Sequence, residues 1–213
     1  MCAPPLLSGC SALAPSHKDT VVKTILIEPA ADAAHLGSPN FLFAGRVSVT
    51  GGKESFSSGV RWRHSEAGDE IILLSPLGQT LAQIQLGQDG AYLTTSEQQG
   101  YYAPDVESLT EQVLGWHLPV AGLQYWVQGI SSPVTPAEVD VDESGRIVAI
   151  RQDGWTIDYL GYFPARASSA VPLDMEELPP PPTAQPRLLR LKRDALQIKL
   201  VIDAWNPIAA DGA

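Results

Sequence analysis

FLFAGRVSVTGGKESFSSGVRWRH, residues 41–64, alternates with a period of two on both sides of a glycine pair. Phe41, Phe43, Val47 and Val49 share one parity, with Arg46 and Ser48 on the other. Beyond Gly51-Gly52, Phe56, Val60 and Trp62 alternate with Ser57, Arg61 and Arg63. Successive side chains leave a strand on opposite faces, so this pattern marks two half-buried antiparallel strands. The glycine pair between them reads as their hairpin turn.

The alternation continues outward. Gly68-Asp69 signals a second hairpin, and EIILLS and TLAQIQL flank the turn Ser75-Pro76-Leu77-Gly78-Gln79 before GAYLTT and GYYA follow. The period then lengthens. Val106, Leu109 and Val113 stand at i, i+3 and i+7, with Asp105 as an N-cap, which predicts a helix. A second helix is predicted where Pro119 suits the first turn, Val120, Leu123, Trp126 and Val127 share a face, and Gly129 ends it. Strands resume at AEVDVD, RIVAIRQ and WTIDYLGY, and a final pair is joined by a turn at Lys192-Arg193-Asp194. Its second arm alternates Leu196, Ile198, Leu200 and Ile202 against Gln197, Lys199, Val201 and Asp203. The segment VVKTILI is either a short strand or one helix face, and FPARASSAVPLDMEELPPPPTAQP is too proline-rich to pack. Around ten short strands in hairpin order imply an antiparallel barrel or a deeply curved sheet, filled or hollow, whose mouth the helices plug or cover.

Chemistry is scarce. The chain lacks GxSxG, P-loop, GxGxxG and HExxH patterns, so no catalytic constellation, metal site or cofactor is expected. Its histidines, His17, His35, His64 and His117, make no metal spacing and read as surface or edge residues. DVDESGRIVAIR starts as a calcium loop would, at Asp140, Asp142, Ser144 and Gly145, but places Arg151 where a bidentate glutamate belongs. It reads instead as a hairpin turn. Asp174, Glu176 and Glu177 read as a solvated charge cluster. A net charge of −10 in 213 residues argues against nucleic acid as a partner. The five tryptophans, Trp62, Trp116, Trp126, Trp155 and Trp205, suit core packing, although a barrel lined by them can also enclose an apolar cavity.

Two further stretches stand out. Leu7-Ser8-Gly9-Cys10 fits a bacterial lipobox, in which cleavage frees Cys10 for acylation; no Lys or Arg precedes it, and Pro4-Pro5 interrupts a short apolar run. Cys2 is the only other cysteine. At the tip of SPLGQ, Leu77 has no obvious place to pack; it is either an ordinary exposed leucine or folds back on the core.

In order and spacing, FAGRVSV, VRWRH, LLSPLGQTLAQI, LTEQVLGWHLPVAGLQYWVQG, GWTIDYLGY and LQIKLVIDAW resemble the LolB family over about Phe41 to Trp205. That resemblance implies a mainly β fold: an incomplete, strongly curved antiparallel β-barrel of about ten or eleven strands, with short helices as a lid over an apolar cavity. It implies a receptor that accepts triacylated lipoproteins from a periplasmic LolA-like carrier and inserts them into the outer membrane, acting as a monomer. It supports Cys10 as the lipidation site, with Ser11 permitting outer-membrane sorting, and assigns Pro76, Leu77 and Gly78 to a loop that acts on outer-membrane lipid. Face parity and helix stripe nominate Val47, Trp62, Ile84, Leu109, Val113, Trp126, Trp155 and Ile157 for the acyl-chain cavity.

The expected organisation is a signal remnant at 1–9, a lipidated N-terminus and tether or first short element at 10–40, the half-barrel at 41–206 with a proline-rich acidic loop at 172–186, and a tail at 207–213. Two features depart from the family: TVVKTILIEPAADAAHL shows no helical stripe after Pro29, and Leu173 to Pro186 resembles an insertion. Another periplasmic lipid- or glycolipid-binding lipoprotein on a similar half-barrel, or a lipid-anchored interaction module without ligand, also fits the residues.

Overall fold

The computed structural model of the protein describes residues 21–30, 40–51, 55–115, 117–164 and 184–205. Cys2, Cys10, His17, His35, Trp116, the acidic cluster at Asp174 to Glu177 and the tail lie outside the described residues.

One antiparallel sheet of twelve strands makes up the body of the molecule. In chain order these are β1 (Lys23–Ile27), β2 (Phe41–Thr50), β3 (Phe56–Ser65), β4 (Gly68–Leu74), β5 (Thr80–Gly87), β6 (Gly90–Thr95) and β7 (Gly100–Ala103). Two helices follow, α1 (Val106–Leu114) and α2 (Val120–Trp126). The chain then returns to strand in β8 (Ala137–Val141), β9 (Ile147–Gln152), β10 (Trp155–Tyr162), β11 (Pro186–Arg193) and β12 (Leu196–Trp205). The spatial order is β1-β8-β9-β10-β11-β12-β2-β3-β4-β5-β6-β7, and β1 does not pair with β7. The curved sheet therefore stays open, with twelve strands where ten or eleven were expected. VVKTILI supplies β1, which docks in register on β8 from Lys23↔Val141 to Ile27↔Ala137. Tertiary pairing decides what local period left undecided.

Parity holds along the central strands. Phe41, Phe43, Val49, Val60, Trp62, Ile198, Leu200 and Ile202 are buried, while Arg46, Arg61, Arg63 and Lys199 face water. Two turns sit away from their expected positions. Ser65 pairs with Gly68, so Glu66-Ala67 makes the turn and Gly68 opens β4. Arg193 pairs with Leu196, so the last turn is Asp194-Ala195, with Asp194 in the left-handed region at φ 52°. β11 begins at Pro186, where Phe163 N–H donates to the neighbouring Gln185 carbonyl at 2.9 Å.

His64 corrects the reading of the histidines as surface or edge residues. It is buried on the inner parity of β3, stacked on Phe41 at 5.2 Å, with Nδ1 2.8 Å from Asp69 Oδ1. The same carboxylate oxygen accepts from Trp62 Nε1–H at 2.6 Å. Alternation places a residue on the inner face whatever its chemistry, and Asp69 satisfies both rings there.

The helices lie where the period changed. Asp105 caps α1, its Oδ1 accepting from Ser108 N–H at 2.7 Å. Val106 and Leu109 are buried and α1 packs on β6 and β7. Thr110 Oγ1 accepts from Leu118 N–H at 2.9 Å and ties α1 to the segment leading into α2. On α2, the Trp126 indole folds back over Gly122, where an added Cβ would lie 2.4 Å from Cζ2.

The calcium-like stretch is the β8–β9 hairpin. Asp142 accepts from Ser144 N–H and Oγ–H and from the Arg146 main chain and guanidinium at 2.7–3.0 Å. Asp140 is held by Arg151 and by Thr24 of β1. Burial opposes ionisation of Asp142, and the hydrogen bonds from Ser144 and Arg146 outweigh it, bringing the carboxyl from 3.8 to about 2. Its stabilising contribution is thus complete above about pH 4 and is lost as pH falls toward 2. Asp142→Asn is expected to flatten the acid limb of a stability-versus-pH curve between those values, measured by urea denaturation.

At Gly122, replacement by alanine gains about 1 kcal/mol of helix propensity but forces the Trp126 ring aside. Overpacking of this kind costs about 1–3 kcal/mol, so Gly122→Ala is expected to lower the unfolding midpoint and shift Trp fluorescence.

Candidate functional site

An open sheet has a concave apolar face that must be covered. Here α1 and α2 cross it as a strap from one half of the sheet to the other. One end rests on β6 and β7; the other is bonded to β9 and β10. Trp126 Nε1–H donates to Gln152 Oε1 at 2.8 Å, and Tyr159 O–H donates to the Trp126 carbonyl at 2.7 Å. Gln152 is buried and fully used: Oε1 also accepts from Ser132 N–H at 2.9 Å, and Nε2 donates to the Ser132 and Thr135 carbonyls. Burial, reinforced by the charge of a neighbouring Tyr162, pushes the Tyr159 phenol well above its ordinary value, so it stays a donor at any physiological pH.

Beneath the strap lies a cavity of about 70 Å³ lined only by apolar side chains. Phe43, Val47 and Val49 of β2, Val60 and Trp62 of β3, and Ile71, Leu73 and Ile84 of β4 and β5 form one wall. Leu191, Ile198 and Leu200 of the adjoining β11 and β12 continue that wall, and Leu118 and Leu123 of the strap close it. Ligand pockets usually run to about 300–1,000 Å³, so this one is nearly shut.

Of the eight residues nominated for this space, the structure brings Val47, Trp62 and Ile84 to the lining. The other five lie outside it. Leu109 is fully buried in α1 and Val113 packs at the core margin. Trp126 and Trp155 face each other at 6.5 Å between ring centroids, and Ile157 is buried on β10. Parity does put Trp155 and Ile157 on the covered face. That face, however, is covered at β9 and β10 by the bonded end of the strap, whereas the apolar cavity lies under its middle. Of the lining residues missed, Leu118 and Leu123 belong to the strap, and those on strands, Phe43, Val49, Phe56, Val60, Ile71, Leu73, Leu191, Ile198 and Leu200, share the same parity signal, but sequence does not say which rungs the strap fills.

The two ends of the sheet differ. At one, Phe41, Phe43, Trp62, His64 and Trp205 make a continuous aromatic plug with ring centroids 5.2–5.9 Å apart. Trp205 is pinned by its Nε1–H to the Pro186 carbonyl at 3.0 Å.

The other end carries the β4–β5 turn. Leu77 is 87 % exposed, neither folded back nor in contact with the core, between Pro76 and Gly78. The turn beneath it is ordered. Ser75 N–H donates to the Gln79 carbonyl at 2.8 Å, Gly78 N–H to the Ser75 carbonyl at 2.9 Å, and Gln79 N–H to Ser75 Oγ at 3.1 Å. Gly78 sits at φ 79°, which a side chain would strain. No charged residue stands between Ser75 and Leu81. Among the described residues no His, Cys, Asp and Glu group could hold a metal ion, and no helix is long and apolar enough to cross a membrane.

This geometry has sequence counterparts among known proteins. The family described as Outer membrane lipoprotein LolB matches residues 39–205. The outer-membrane lipoprotein LolB of Nitrosomonas europaea is 40 % identical over 201 residues, covering 94 % of this chain and 88 % of its own. That of Thiobacillus denitrificans is 36 % identical over 200 residues, covering 94 % and 91 %. Among solved structures, the LolA superfamily protein NE2245 of Nitrosomonas europaea aligns with 84 % of this chain and 90 % of its own at 10 % identity, with a TM-score of 0.42. With the match spanning all but the first strand of the sheet and nearly the whole chain length of its relatives, this chain belongs to the LolB family of outer-membrane lipoproteins.

Proposed function

We propose that the protein takes the acyl chains of lipoproteins from a LolA-like carrier into the apolar cavity under the α1–α2 strap and delivers them to the outer membrane through the Leu77 end. Membership of the LolB family carries the coarser part, an outer-membrane lipoprotein that works with lipoprotein cargo and a LolA-like carrier. The observation that carries the finer part is the cavity itself, whose lining offers no polar side chain. An acyl chain exposed to water costs about 0.8 kcal/mol per methylene, so a wall of this chemistry is a sufficient attraction.

At about 70 Å³ the cavity holds only a fragment of such a chain. Loading therefore requires the strap to rise, lengthening the space toward β9 and β10. The aromatic plug closes the far end, so acyl chains enter and leave on the side of the SPLGQ turn. Transfer to lipid then needs no nucleotide: the bilayer is the larger apolar sink, and the cavity has only to meet it.

Cys10 and Leu77 divide the membrane work. A triacyl anchor on Cys10 holds the protein at the bilayer, because more than one chain suffices for stable binding. Burying one leucine contributes about 1.5–3 kcal/mol, too little to anchor the chain but enough to orient its mouth. A rigid turn gives that contact a fixed direction. The protein acts as a monomer.

Two experiments test this. A labelled lipoprotein moved from its carrier to outer-membrane vesicles should require this protein, and transfer at the uncatalysed rate would end the proposal. Leu77→Glu should accept cargo normally yet fall at least 10-fold in insertion, since a carboxylate resists desolvation in the acyl region. Normal insertion by that variant removes Leu77 from the mechanism.

A further inference from the structure

Ser58 stands out among the buried polar groups. Its side-chain oxygen is the one buried nitrogen or oxygen without a hydrogen-bond partner among the described residues. The residue is 5 % exposed on a central strand, whereas the other buried polar residues described, His64, Thr110, Ser132, Asp140, Asp142 and Gln152, are all bonded. A hydroxyl held from water without a partner opposes folding, and alanine would avoid the cost.

Its direction follows from the register. Ser58 pairs with Val47 across β2 and β3, so the two side chains leave the same face, and Val47 lines the cavity. Phe56 and Val60, two residues either way on β3, line it as well. Its height follows too. Gly59 pairs with Leu74, the last residue of β4, so Ser58 lies one rung further toward the SPLGQ turn. The hydroxyl thus sits just beside an all-apolar lining, on the same face of the sheet and at the end where the proposed mouth lies.

We infer that Ser58 Oγ–H donates to the ester carbonyl of an acyl chain lodged in the cavity, marking where the hydrocarbon ends and the polar linkage begins. The inference rests on the acyl-binding function proposed above and adds the ligand group that the site reads. An ester carbonyl is a neutral acceptor at the end of a hydrocarbon. A free carboxylate or phosphate fits less well, because no cation stands in the lining to offset its desolvation. The same ester occurs in the diacylglyceryl group of a lipoprotein and in a glycerophospholipid, so the chemistry is shared by cargo and membrane lipid.

The test uses the full chain and three probes: a peptide bearing S-[2,3-bis(palmitoyloxy)propyl]cysteine, its dialkyl ether counterpart, and dipalmitoyl phosphatidylglycerol. Ser58→Ala should weaken binding of the diester peptide about 5-fold, the worth of one ordinary hydrogen bond, and change binding of the diether little. Without ligand, Ser58→Ala should unfold at or above the wild-type temperature. Ser58-dependent preference for the peptide assigns the ester to cargo, and preference for the phospholipid assigns it to membrane lipid; both support the inference. Equal loss for ester and ether, no loss for the ester, or a lowered unfolding temperature overturns it. A wild-type protein that binds none of the probes overturns the acyl-binding function and this inference with it, whereas wild-type binding indifferent to Ser58 overturns the inference alone.

Discussion

An antiparallel sheet that curves but does not close must cover its concave face with something other than itself. Among the described residues β1 and β7 are the two edge strands, and the two-helix strap does the covering. Its hold is uneven. On the β6–β7 side the contact is apolar packing by α1, which follows those strands in the chain. On the β9–β10 side it is a buried polar latch, with Gln152 and Tyr159 gripping the indole and the carbonyl of Trp126. Packing adapts to displacement, whereas hydrogen bonds in a low-dielectric interior are all-or-none.

The cavity follows from the same arrangement. Covering a broad curved face with only two short helices leaves space under their middle, where Leu118 and Leu123 reach down to Phe43 and Leu200. The aromatic plug prevents that space from running through the sheet. In consequence the molecule has one sealed end and one end with a rigid turn, and the exposed leucine stands at the latter.

Much of this was legible beforehand, and the misses have a common cause. Alternation from Phe41 to His64 identified the inner face of β2 and β3, and the lengthened period at Val106 and Val120 located both helices. Val47, Trp62 and Ile84 were found for the cavity because parity reports which face a residue occupies. Trp155, Ile157 and Trp126 were grouped with them because parity does not report what lies opposite. His64 was read by its chemistry, as a surface group, when its position on the strand already pointed inward. The turns at Glu66-Ala67 and Asp194-Ala195 were displaced because Gly68 and the charged run at Lys192 are turn-formers by composition only, and the ladder register has the final word.

The sequence by itself determined most of the strands, both helices, the antiparallel order and the family, since these depend on local periodicity or on motifs in fixed order. Only the tertiary structure decided that the sheet stays open, that β1 joins it beside β8, that Leu77 stands exposed, that Trp126 is bonded to Gln152 and Tyr159, and that Ser58 is stranded beside the cavity. These depend on which residues meet across long stretches of chain, such as the 157 positions between the bonded Arg46 and Asp203. Such meetings are settled by the register of the ladder and by the volume the strap fills, and neither quantity is written in any local stretch of sequence.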